Sequence, residues 1–162
     1  MKKTLLALTL GLSSTFAFAD FDYAGGSNIS NWDIGGEIAE RCVVDVSGID
    51  RATNLDLSLQ EAQGTVGVGL WCNTRGAKAH ATYSSSNRGV LENEEGDAIA
   101  YTFSIDQSGD LSLTANQTIE QMTGQGTAHG YQRKTMKITP MVTGREFAGI
   151  YRDTITVQVA PR

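Results

Sequence analysis

Cys42 and Cys72 are the only two cysteines in this chain, and each sits in a short run where apolar residues recur at every second position. Val44 and Val46 share a face with Cys42, while Val66, Val68 and Leu70 share one with Cys72, opposite Gly67, Gly69 and Trp71. Alternation of period two marks strands with one buried face. Both cysteines therefore point to the same interior as their strand neighbours, which suits a bridge between adjacent strands. The pattern returns at Leu55, Leu57 and Leu59, at Ala79, Ala81 and Tyr83, at Ile99, Tyr101, Phe103 and Ile105, and at Ile155, Val157 and Val159. Leu111 and Leu113 open a further short strand, and 134–142 regains strand character around Met136 and Ile138. Turn clusters at 84–89, 93–97 and 106–110 punctuate these runs, and 123–130 reads as a loop. With no amphipathic helix of ordinary length and no repeat, the sequence predicts an all-β chain built as an antiparallel sandwich.

The first residues set the compartment. Lys2 and Lys3 precede an apolar stretch from Leu5 to Leu12, and Ala17, Phe18 and Ala19 stand before Asp20. A basic end, an apolar segment too short to span a bilayer and small residues at a cleavage point predict a signal peptide over 1–19. Export to an oxidising space makes a disulfide the default fate of two cysteines, with separate thiols the weaker alternative. Closing that loop contributes roughly 3–4 kcal/mol in the chain-entropy picture. The mature chain is long enough to bury a core without metal or further crosslinks. Removing Lys2 and Lys3 leaves 11 basic residues against 18 acidic ones, net −7, and no Lys/Arg cluster is present, so a nucleic-acid partner is not expected.

No constellation for catalysis is visible, and the expectation is a protein that is not an enzyme and needs no cofactor or metal. His80 and His129 are the only histidines and stand far apart, without the spacing of a zinc site or a nucleophile motif around them. Glu92, Glu94, Glu95 and Asp97 offer oxygens but not the order of a calcium loop, so a solvated hairpin tip is the better reading. Two glycosylation sequons, at Asn28 and Asn116, are matches of a kind that arises by chance. Trp71 and Tyr83 read as packing residues before they read as a sugar-stacking surface. Residues 20–36 are Gly, Ser, Asn and Asp with scattered large apolar side chains, too sparse to build a core and expected to be mobile alone.

The order of these parts resembles a known family. A signal peptide, an apolar-containing extension, a first strand bearing Cys42, another bearing Cys72, the piece Gly-Asp-Ala-Ile-Ala-Tyr-Thr-Phe-Ser-Ile at 96–105 and a terminal Gly-Ile-Tyr-Arg-Asp-Thr-Ile-Thr-Val-Gln-Val at 149–159 look like a chaperone-usher pilin subunit. The nearer likeness is to the spore-coat-U-like, or archaic fimbrial, branch. The resemblance implies an immunoglobulin-like sandwich over 37–162 that is incomplete and is completed by a donor strand. It implies three kinds of partner: identical or related pilin subunits, a periplasmic chaperone and an outer-membrane usher. It implies export through the periplasm to a surface fimbria that supports adhesion and biofilm formation. Carried onto this chain, the donor strand lies in 20–36. Phe21 and Tyr23 have one parity, Trp32 and Ile34 the other, so no single register serves the whole segment. Ile29, Trp32 and Ile34 are the inserted group, with a kink that brings Ile29 round. The acceptor groove is bordered by Val44 and Val46 on the first strand and by Ile155, Val157 and Val159 on the last. The competing expectation is a secreted carbohydrate- or surface-binding adhesin module that does not polymerise.

Overall fold

The computed structural model describes residues 29–162 apart from His129. The expected signal peptide, Phe21, Tyr23 and the sequon residue Asn28 lie outside the described residues, as does His129. The chain divides into two units, Met1–Glu37 and Ile38–Arg162. In the described part of the first, 29–37, the backbone is irregular, and Ile29, Trp32 and Ile34 are exposed.

The second unit contains nine strands: β1 (Cys42–Ser47), β2 (Gln63–Cys72), β3 (Lys78–Ser85), β4 (Val90–Glu92), β5 (Ala98–Ile105), β6 (Leu111–Ser112), β7 (Gln117–Met122), β8 (Gln132–Pro140) and β9 (Ile155–Pro161). A single helical turn, α1 (Ile49–Ala52), follows β1. One sheet has the order β1-β2-β8-β5-β4 with β6 beside β5, and the other has the order β7-β3-β9. Every strand ladder is antiparallel. The result is an immunoglobulin-like β-sandwich with one disulfide, since Cys42 and Cys72 stand opposite each other in the β1–β2 ladder and are bonded. Among the described residues no helix is long and apolar enough to cross a membrane.

The alternating residues supply the core. Val66, Val68 and Leu70 of β2, Tyr101, Phe103 and Ile105 of β5, and Met136 and Ile138 of β8 meet Ala81 and Tyr83 of β3. Tyr83 and Phe103 lie with ring centroids 5.3 Å apart, and the Tyr83 hydroxyl donates to Gln121 Oε1 at 3.0 Å, so its one polar atom is satisfied inside the core. Trp71, on the opposite face of β2, is also buried. Gly124 bridges to it in parallel fashion and its backbone exchanges hydrogen bonds with Leu70 and Cys72.

One expected strand does not form. Leu55 and Leu57 are half-buried as their alternation implies, but the backbone around them finds side chains instead of a neighbouring strand. Gln63 accepts from the Asp56 N–H and donates to the Asp56 carbonyl, both at 2.8 Å. Asp56 Oδ1 accepts from the Ser58 N–H at 2.9 Å and the Ser58 hydroxyl at 2.6 Å, a local turn that competes with strand pairing. At the β4–β5 tip, Asn93 and Asp97 close the turn on each other through three hydrogen bonds, while Glu92, Glu94 and Glu95 face solvent.

Candidate functional site

The sandwich has two strand edges that face each other without pairing. β1 pairs with β2 alone and β9 with β3 alone among the described residues. The burial of their inward faces reflects it. Ile155, Val157 and Val159 alternate correctly on β9 but are only half-buried, and on β1 Val44 is half-buried and Val46 is 41% exposed. The inward residues of β3 and β5, by contrast, are buried. Apolar side chains patterned for a core thus lack cover along one seam.

That seam is a groove of about 420 Å³. Val44 and Val46 form one wall, and Ile155 and Val157 form the other. Val66, Val68, Leu91, Tyr101, Met136 and Ile138 make the floor, and Ile49, Ala52, Thr53 and Leu55 flank it. Of the residues expected at such a groove, Val44, Val46, Ile155 and Val157 line it. Val159, further along β9, packs against the core cluster outside the lining. Ile29, Trp32 and Ile34 belong to the other unit. The flank from α1 carried no legible signal in the sequence, because one helical turn leaves no periodicity. The floor was visible as core but not as a surface.

One end of the groove is fastened by Asp153. Its Oδ2 accepts from the Tyr101 hydroxyl at 2.5 Å and the Ser85 hydroxyl at 2.6 Å, and its Oδ1 accepts from the N–H groups of Thr154 at 2.7 Å and Asn87 at 3.0 Å. One carboxylate so joins the start of β9 to the β3–β4 turn and to β5 of the other sheet. Burial, seconded by the bond to Asp153, pushes the Tyr101 phenol above the ordinary tyrosine range. Beside it Arg152 and Glu92 exchange backbone hydrogen bonds at 2.9 and 3.0 Å. Within the terminal 149–159 piece that carried the family resemblance, Asp153 is thus the residue at the centre of this clasp. His80 is exposed on β3, away from the groove lining.

No protein-family model matches the sequence, and no curated protein matches it. Among solved structures the fold is similar to a chain in the crystal structure of the CsuC–CsuE chaperone–tip adhesion subunit pre-assembly complex, from the archaic chaperone-usher Csu pili of Acinetobacter baumannii. The TM-score is 0.50 at 18% identity, over 75% of this chain and 40% of that one. The chain therefore spans well under half the length of that neighbour, and the likeness is one of fold.

Proposed function

We propose that this chain is a structural subunit of a bacterial surface fimbria, assembled by donor-strand exchange through a periplasmic chaperone and an outer-membrane usher, and that the fibre supports adhesion and biofilm formation. The observation that carries this reading is the apolar groove between two unpaired strand edges, β1 and β9. An edge of that kind is a template for an added strand, whose main chain pairs while alternate side chains fill the groove. The fold neighbour from a chaperone-usher pilus complex supports the same reading. Residues 20–36 of another copy are the donor, with Ile29, Trp32 and Ile34 inserted and the chaperone filling the groove beforehand. Three such side chains at about 1.5–3 kcal/mol each give roughly 5–9 kcal/mol before ordering costs. Binding, with no chemical step, is then the whole activity.

The test is the state of the mature protein on a denaturing gel run without boiling, because strand-exchanged polymers are kinetically stable. A ladder that collapses to one band on boiling is the expected result. A single monomer band from protein that is folded and soluble without a chaperone would overturn polymerisation and favour the non-polymerising adhesin module.

A further inference from the structure

The groove does not stop at the two strand edges. Leu55, Leu91 and Asp153 line its β1–β9 section and also a second hollow of about 440 Å³ that passes over 149–154. Leu57 and Tyr151 line that hollow and also a third, of about 520 Å³, walled by Val142 and Phe147. The three hollows share these walls and follow one another away from the strand-pairing section past the N-terminal end of β9. Around their far end the surface is both apolar and open, with Phe147 and Ile150 each 71% exposed and Met141 48% exposed.

The loop that carries these side chains is tied down. The Glu146 carboxylate accepts from the Thr143 N–H at 2.5 Å and from the Thr143 hydroxyl and the Gly144 N–H, both at 2.9 Å. The Tyr151 hydroxyl donates to the Phe147 carbonyl at 2.9 Å. Exposed apolar groups already held in place lose little further freedom when a partner arrives, which is the condition of a good docking surface.

The sequence supplies the occupant. Trp32, Ile34, Gly36 and Ile38 fall at every second position. A strand that turns Trp32 and Ile34 into the groove turns Ile38 to the same side, about 13 Å beyond Ile34. Gly36 places no side chain at the position between, and Ile38 is 73% exposed on its own subunit. Resting on the donor-strand reading above, and with the inserted strand antiparallel to β9, we propose that Ile38 of a second copy seats in the Phe147 hollow where its strand leaves the groove. Antiparallel pairing with β9 matches every ladder in the sandwich and is the stronger kind. It also carries the residues after Ile34 toward Ile155 and Tyr151. The specificity of assembly is thereby read outside the strand-pairing section as well as within it.

The experiment compares two synthetic peptides, 29–36 and 29–40, each added in excess while the full mature chain refolds. The longer peptide is expected to bind tenfold or more tightly than the shorter, roughly the worth of one buried isoleucine. The gain should vanish with Ile38→Glu in the peptide or Phe147→Glu in the chain, while the short peptide binds parent and Phe147→Glu chains alike, which shows the variant folded. Equal affinity of the two peptides, or a gain that survives both substitutions, overturns this inference and leaves the groove reading intact. Failure of both peptides to bind overturns the groove reading and this inference with it.

Discussion

Asp153 accepts four hydrogen bonds from three parts of the chain. Removing it leaves Tyr101 and Ser85 hydroxyls facing a partly buried gap, a costlier change than losing a surface contact. Asp153→Ala is expected to destabilise by about 2–4 kcal/mol in urea denaturation and Tyr101→Phe by about 1 kcal/mol. If the two variants lose the same amount, the carboxylate is not the hub described. The disulfide makes a second residue-scale prediction. Cys42→Ser should lower stability by roughly 3–4 kcal/mol and cut the yield of exported protein, and equal urea midpoints for variant and parent would remove the bridge from the account of stability. Both cysteines were legible because an even count, an exported context and inward parity agreed. Asp153 was not, because its donors come from residues 85, 87, 101 and 154, and no local pattern announces a meeting so distant in sequence.

Among the elements, β3, β5 and β9 were readable because each alternates cleanly, with large apolar residues on one face. β7 was not. Its inward positions include Gln121, a polar residue buried as the partner of Tyr83, so its burial has no apolar signal. The 55–59 run shows the converse, a clean alternation that tertiary hydrogen bonds from Gln63 divert from a sheet. The groove divides the same way: its β1 and β9 walls follow from alternation, whereas the α1 flank depends on how the β1–β2 connection folds back. The element-scale prediction concerns the extension. A chain lacking 20–36 should fold, capture an added 29–40 peptide and fail to form a ladder on an unboiled gel. Polymer from that deletion would place the donor elsewhere.

At the scale of the whole molecule, pH separates the loop from the core. Backbone N–H groups of the 143–146 turn, Thr143 foremost, hold the Glu146 carboxyl at about 2 against an ordinary 4.5. A depressed value means that its contribution is complete above about pH 4.5 and is lost as pH falls through about 2. The Gly144 amide resonance should therefore titrate with a midpoint near 2, and a midpoint near 4.5 would mean that the turn is not formed in solution. Burial pushes Tyr83 the other way, from 10.0 to about 12. Its raised value means that stability is complete below pH 10 and declines as pH rises through about 12, so the urea midpoint should fall across that window. A midpoint that stays flat there would mean that Tyr83 is not buried as described. The position of the disulfide has a mechanical consequence. Asn73 grips the chain just before β1, accepting from the Arg41 N–H and donating to the Ala39 carbonyl, both at 2.7 Å, and the Cys42–Cys72 bond follows at once. A pull arriving through the N-terminal segment meets the Asn73 grip and then that covalent joint before any bond of the β1–β2 ladder, and passes to β2, which is held between β1 and β8. The hydrogen bonds of β1 are thus shielded from opening one after another like a zipper, and tension is spread over a sheet interior that must give way as a unit.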